Sequence, residues 1–295
     1  MNRPLIFLAA MATAAAAVTS ACLAEVRNSD RPFRADDLHF TLTDKDAARG
    51  MANFHLTQGR DHDRINMSND TRLADLGLAP TALDRDGSIV IAMVRDAGRI
   101  DCNGTVRGGR AEGNCRFAAD TGFNALLAQT GVARPDLEDS YGMTILGVTR
   151  AMVDAVRDSK FGPATPDDLT AMAAVGVTPA YIRELASRGY RPSKIDDLVA
   201  FKAVGVTGDY VDGLTRAGVK TSDGETVVAM RALGITPEFV SSFARIGYPN
   251  LDPDKLVELK ALGITPAMVQ AVERDRSALS LPQRAAARSL VDSRR

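Results

Sequence analysis

The chain has 295 residues, which is enough for one large domain or two ordinary ones. It is 45% hydrophobic and 25% charged, as an ordinary soluble globular protein is. A net charge of −1 excludes a generally basic chain that attracts nucleic acid or anionic lipid over its whole surface. Trp is absent and aromatic residues make up 5%, so large stacking platforms for bases or sugars are scarce.

The N-terminus has the pattern of an export signal. Arg3 supplies the positive start, an apolar stretch covers 4–18, and small residues follow. About fifteen apolar residues are too few for a membrane span, which needs about twenty. Three outcomes fit this text: cleavage after Ala24, lipidation of Cys22, or an uncleaved anchor. We expect a periplasmic or secreted protein, or a lipoprotein anchored through Cys22, with no membrane span after signal cleavage.

Apart from Cys22, the chain has two cysteines, Cys102 and Cys115. If Gly108 and Gly109 form a two-residue hairpin turn, counting back along both arms places Cys102 opposite Cys115. The count also makes them a non-hydrogen-bonded pair, with Cα atoms about 4.5 Å apart, at the short end of the disulfide range. Two cysteines without a nearby histidine are too few ligands for a metal site. We predict a disulfide, which agrees with export.

Residues 37–118 predict a small, mostly antiparallel β domain. The segments are rich in β-branched and aromatic residues and are separated by turns that contain Gly and Asp. In the proposed hairpin, alternate residues on both arms are apolar, as one half-buried face of a sheet requires. Residues 69–77 predict one or two helical turns between strands. The predicted strands are 38–43, 52–57, 88–95, 99–106 and 110–117.

The second half of the chain is built from a repeated unit. MRALGITPEFV and LKALGITPAMV are two copies of one phrase. In such a unit Thr178 is a typical helix N-cap, Pro179 a typical first helical residue, and Gly189 and Gly205 typical helix ends. Helices of about ten residues are marginal alone, so each unit must bury its apolar stripe against its neighbours. The motif Gly-(Val/Ile)-Thr begins every 29 residues, at Gly147, Gly176, Gly205, Gly234 and Gly263.

The predicted fold class is therefore α+β, with a small antiparallel β domain followed by an α-helical repeat array. Each unit of 29 residues contributes two short helices. The predicted divisions are a signal peptide at 1–24, a linker at 25–36, the β domain with its disulfide hairpin at 37–118, the α-helical repeats at 119–276 and a basic C-terminal tail at 277–295.

The repeat text, for example GVTPAYIRELASRGY, resembles the extracytoplasmic helical repeats of bacterial antirepressor-type sensor proteins, the β-lactam-sensing, metallopeptidase-like family. The strand text AGRIDCNGTVRGGRAEGNCRF resembles the segment that often precedes those repeats, and the likeness covers about 80–276. That family's catalytic motif is HExxH, whereas His39, His55 and His62 are not followed by Glu. The resemblance implies a sensing or binding module rather than a protease.

Two groups of polar residues are candidates for a metal or catalytic site. His and Asp side chains in HLTQGRDHDR, at 55–64, are suitable metal ligands, but a polar loop between strands explains the same text. The pairs Asp167-Asp168 and Asp196-Asp197 recur at the start of second helices, where carboxylates stabilise the helix dipole. We therefore predict no metal, no cofactor and no catalytic residue.

The phrase LVELKALGITPAMVQAV is also similar to helix-hairpin-helix units that bind DNA phosphates. Residues 147–276 carry nearly equal numbers of basic and acidic residues, whereas nonspecific DNA binding needs a basic footprint. An export signal also argues against this reading. We predict no nucleic-acid partner.

Three functions fit the sequence. The first is a non-enzymatic exported envelope protein that binds another envelope protein through the repeats, because repeat stacks present extended surfaces. The second is a sensor or regulatory module that binds a small ligand or an envelope component, and the third is an enzyme with an unrecognised site in the β domain. The tyrosines of the repeats fit either a groove or the core. The residues proposed for the binding surface are Tyr181, Arg183, Arg188, Tyr190, Lys202, Tyr210, Arg231 and Tyr248.

Overall fold

The fold was obtained as a computed structural model, and the α+β class is confirmed. The predicted signal peptide, with Cys22 and Ala24, lies outside the described residues, as do the predicted tail at 277–295 and most of the loop text at 55–64. The described residues are 34–46, 50–58, 66–190, 194–219 and 223–274.

Six antiparallel strands in this part of the chain form one curled sheet, in the order β3-β2-β1-β6-β5-β4. Strand β1 lies between β2 and β6, so it joins the N-terminal strands to the disulfide hairpin. Apolar and polar residues alternate along β1, where Leu38, Phe40 and Leu42 are buried, as one covered sheet face requires. The strands are β1 Leu38–Asp46, β2 Met51–Gln58, β3 Asn66–Arg72, β4 Gly87–Arg95, β5 Gly98–Arg107 and β6 Arg110–Ala119.

The hairpin between β5 and β6 has the predicted register. Gly108 and Gly109 form its turn, with φ of 56° and 78°, values that favour glycine. Cys102 lies opposite Cys115 and is bonded to it, with Cα atoms 4.0 Å apart. Both cysteines are buried, so the disulfide belongs to the apolar core. The disulfide prediction is confirmed.

The prediction of helical turns over 69–77 is wrong for its first part. Residues 69–72 belong to β3, and a short 3-10 helix, Leu73–Leu76, follows. Apart from Thr71, the sequence of β3, NMSNDTR, lacks the β-branched and aromatic residues that mark strands. Its pairing with β2 through backbone hydrogen bonds places it at an edge of the sheet, where polar side chains are tolerated.

Eleven short helices follow the sheet within the described residues. Each has nine or ten residues, as the repeat length predicts for two helices per unit. They are α1 Thr121–Gln129, α2 Leu137–Leu146, α3 Arg150–Ser159, α4 Pro166–Ala174, α5 Pro179–Ser187, α6 Asp196–Val204, α7 Gly208–Arg216, α8 Gly224–Ala232, α9 Pro237–Arg245, α10 Pro253–Ala261 and α11 Pro266–Arg274.

The repeated phrase is a helix end followed at once by a helix start. The glycines that begin the motif have φ between 66° and 74°, the left-handed conformation of a helix C-terminus. The Val206 N–H, next in sequence, donates to the carbonyl of Phe201 at 2.8 Å. Thr207 then accepts a hydrogen bond from the Tyr210 N–H at 3.2 Å and caps α7. These narrow backbone requirements explain why the phrase recurs.

The described residues divide into two compact units. The β unit contains the sheet, the helices up to Asp154, and Pro163–Ala174; the repeat unit contains Ala155–Gly162 and the residues from Val175 onward. The first helices belong with the sheet because α2 packs on it, with Tyr141 edge-on to Phe117 at 5.5 Å between ring centroids. No helix in the described part of the chain is long and apolar enough to cross a membrane.

Candidate functional site

The four tyrosines proposed for the binding surface belong to the core of the repeat unit. Tyr181, Tyr190, Tyr210 and Tyr248 are between 5% and 8% exposed. Their placement on an accessible surface is therefore wrong, and the alternative, a position in the core, is confirmed. Tyr181 and Tyr210 lie on the apolar faces of α5 and α7, which each unit must bury against neighbouring helices. Tyr190 and Tyr248 directly follow the left-handed glycines after α5 and α9, and their N–H groups donate to carbonyls in the last turns of those helices.

Two of these tyrosines join one repeat to the next. The Tyr181 hydroxyl donates to the carbonyl of Val206 at 2.8 Å, and the Tyr210 hydroxyl donates to the carbonyl of Ile235 at 2.8 Å. Both acceptors lie in the Gly-(Val/Ile)-Thr junction of the following unit. A phenol is already protonated at neutral pH, and burial raises the pKa of Tyr181 further and that of Tyr210 to about 12.

We expect Tyr181→Phe to lower the free energy of unfolding of the repeat unit by about 1 kcal/mol, because the buried Val206 carbonyl loses its partner. Phe239 occupies the same repeat position without a hydroxyl, so Phe239→Tyr tests the reverse change. We expect it to be neutral or stabilising by up to about 1 kcal/mol. Urea unfolding measures both. Equal stability of Tyr181→Phe and the wild type would show that the hydrogen bond contributes nothing net.

Tyr190 has a different environment. Its ring packs on Phe201 at 5.3 Å between centroids. Its buried hydroxyl has no hydrogen-bond partner among the described residues. Burial raises the pKa of Tyr190, and the negative charges of Asp197 and Asp223 raise it further. Tyr190 therefore contributes a neutral aromatic ring to the core.

Arg188 has its charge engaged within the repeat unit. Its guanidinium pairs with Asp212, with Asp209 at 2.9 Å and with Glu184 at 3.6 Å. The pairs with Asp212 and Asp209 raise the pKa of Arg188. The side chain passes directly over Gly208, where a Cβ would overlap it. We therefore assign Arg188 to the joint between two repeats rather than to a free binding surface.

A row of cations lies along the repeat unit. The Lys202 Nζ is 5.0 Å from the ring centroid of Tyr181, and the Arg231 Cζ is 4.8 Å from that of Tyr210. The Lys260 Nζ is 4.8 Å from the ring of Phe239. These distances are those of cation–π contacts. Lys202, Arg231 and Lys260, one from each of three successive repeats, form what we call the cation row.

The cation row has no counter-charge in the described structure. Neither Lys202, Arg231 nor Lys260 forms an ion pair or a side-chain hydrogen bond there. Each is half-buried, because its stem lies against the ring beneath it. The row therefore presents three ordered, unneutralised positive charges at one repeat position.

Sequence reasoning found two members of the row, Lys202 and Arg231, and missed Lys260. The signal was available, since Lys260 follows Arg231 by one period. The first repeat has Ala173 at the cation position and Met152 at the ring position, so cation and ring are absent together.

The other candidates occupy ordinary structural positions. Arg183 is exposed and forms no ion pair among the described residues. Asp168 accepts hydrogen bonds from the Thr165 N–H and hydroxyl at the start of α4, at 2.7 Å and 2.8 Å. Asp196 and Asp197 lie in the first turn of α6. No group of three or more His, Cys, Asp or Glu side chains suited to a metal occurs in the described residues.

Comparison of this chain with known protein families, with curated proteins and with solved structures finds no match, so any functional conclusion rests on the geometry of the chain itself.

Proposed function

We propose that this protein is a non-enzymatic, exported envelope protein that binds another envelope protein through its repeat unit. The partner contributes an acidic segment, and the cation row receives it. The observation that carries this proposal is the row of three in-phase positive charges, each held over a ring and none neutralised within the described residues.

The geometry favours an extended protein segment as the occupant. A repeat stack offers the same position once per unit, so a chain with regularly placed carboxylates meets successive cations. Each cation is already restrained by its ring, which reduces the side-chain entropy that is lost on binding. Complementary charge also speeds association and selects against basic partners.

Two further observations support the proposal. Disulfides such as Cys102–Cys115 persist in oxidising compartments, which fits an exported protein. The resemblance of the repeat text to antirepressor-type sensor tails fits a binding role rather than catalysis, and we propose that relationship on the repeat text alone.

The test uses the full chain with its disulfide intact. We expect the triple variant Lys202→Gln, Arg231→Gln, Lys260→Gln to bind its envelope partner about tenfold more weakly or worse, because three charged contacts are lost. A matched control removes three charges from the hairpin instead. Its substitutions are Arg107→Gln, Arg110→Gln and Arg116→Gln.

Capture from envelope extract, at a temperature where circular dichroism shows every variant folded, provides the measurement. The proposal is supported if the control variant still captures the partner and the triple variant does not. In addition, a Glu-rich peptide should displace the partner from the wild type, and a Lys-rich peptide should not. Equal capture by the wild type and the triple variant refutes it. Equal loss in both variants points to a nonspecific charge effect and refutes it as well.

A further inference from the structure

The curled sheet of the β unit leaves a gap between its two edge strands. β3 and β4 end the strand order and do not pair with each other in the described sheet. A cavity of ≈160 Å³ opens at this gap, lined by residues of β2, β3, β4 and α2. The 3-10 helix Leu73–Leu76 contacts both edge strands. The cavity therefore exists because the two edge strands of the curled sheet both line it without pairing with each other in the described residues.

The floor of the cavity is apolar. Phe54, Leu56, Met93 and Ile145 form it, and each is between 1% and 8% exposed. An enclosed apolar cavity of about 150 Å³ accepts a molecule the size of benzene, so the volume of ≈160 Å³ is sufficient for one small ring. The floor thus suits a single six-membered ring or a short aliphatic chain.

The mouth of the cavity carries a positive charge that no described residue neutralises. Arg95 lines the mouth, is exposed, and forms no ion pair or side-chain hydrogen bond among the described residues. Its guanidinium lies at the C-terminal end of α2, where a Cβ added to Gly147 would be 2.8 Å from Nη1. A helix C-terminus favours a cation, so the side chain is positioned there without being neutralised by a carboxylate.

The acidic residue at the mouth is already paired. Asp70 also lines the cavity, but Lys45 and Asn53 hydrogen-bond its carboxylate and lower its pKa. Thr71, which pairs with Ala52, lies on the opposite face of β3 from Asp70, the face of Phe54 and Leu56, and supplies a neutral polar group to the cavity. The uncompensated charge at the mouth is therefore that of Arg95.

We propose that this cavity binds a small organic carboxylate, with its apolar body on the floor and its carboxylate on the Arg95 guanidinium. A planar guanidinium matches a carboxylate with two parallel hydrogen bonds, and ligand sites combine apolar residues with a few polar groups that fix the orientation of the ligand. This site is separate from the cation row and does not depend on the proposed protein partner.

Titration of the full chain with benzoate and hexanoate, followed by NMR, tests the proposal. We expect saturable shifts of the Phe54, Met93 and Ile145 signals in the millimolar range, as ligands of this size allow. Benzyl alcohol and hexanol, which lack the charge, should bind about tenfold more weakly. Arg95→Gln should weaken benzoate about tenfold and leave the alcohols unchanged, while Arg107→Gln, on the hairpin turn, should behave as the wild type.

A second variant tests the apolar part. Thr71→Leu narrows the mouth and should weaken acids and alcohols alike. The proposal is overturned if benzoate produces no saturable shift up to about 10 mM, if alcohols bind as well as acids, or if Arg95→Gln leaves benzoate unchanged. The proposal would also be overturned if an extended peptide bound to the edge strand β3 or β4 while benzoate did not bind. That result would indicate strand pairing at the sheet edge instead.

Discussion

Replacing Gly113 by alanine is expected to lower the free energy of unfolding of the β unit by about 3 kcal/mol or more. Gly104 and Gly113 face each other across β5 and β6. A Cβ on Gly113 would overlap the carbonyl oxygen of Asn103, and a Cβ on Gly104 would overlap that of Glu112. The ring of Phe40 covers the same spot, with its Cζ 2.8 Å from a Cβ added to Gly104.

The expected destabilisation is opposite in sign to the usual effect of replacing glycine by alanine in a strand. In an ordinary strand, glycine to alanine gains about 0.5 kcal/mol or more, because glycine loses more backbone entropy on folding. Here the overlapping atoms are backbone atoms of the paired strands, which cannot move without disturbing the ladder. We expect Gly104→Ala to behave as Gly113→Ala does.

Gly142 provides the matched control in the same unit. It lies inside α2, and a Cβ there would meet only the Thr170 Cγ2 at 3.8 Å, an ordinary contact. Gly142→Ala should therefore stabilise the β unit by up to about 1 kcal/mol. Urea unfolding of the three variants measures the contrast. A Gly113→Ala chain as stable as the wild type would show that β5 and β6 are not packed this closely.

Removing the Cys102–Cys115 disulfide is expected to lower the free energy of unfolding of the β unit by about 3 kcal/mol. The reason is that the unfolded chain regains the conformational entropy that the disulfide removes by closing a loop of this length. The double variant Cys102→Ala, Cys115→Ala leaves small apolar residues in the core and so avoids burying new polar groups. Chemical unfolding with and without dithiothreitol measures the effect.

The reductant supplies the internal control. It should lower the stability of the wild type toward that of the double variant and leave the double variant unchanged. The transition of the repeat unit should not respond to it, because both cysteines lie in the β unit. A wild type whose unfolding is insensitive to dithiothreitol would contradict the disulfide's contribution.

Sequence by itself determined the local features of this protein. The hairpin register follows from two glycines and a count along the chain, and it placed Cys102 opposite Cys115 correctly. The repeat junctions follow from glycines in the left-handed conformation and threonine caps. These features depend on residues close in sequence, whose φ values and hydrogen bonds are set by residue type.

Only the tertiary structure decided the rest. Strand β3 has only Thr71 as a propensity signal and exists because β2 pairs with it. The neighbours of β1, the hydrogen bond from Tyr181 to the next repeat, and the cavity beside Arg95 join residues distant in the chain. Periodicity shows which side of an element is buried, but not which partner covers it. The partner is decided by packing among all the elements, where each contact must offset the entropy of closing its loop.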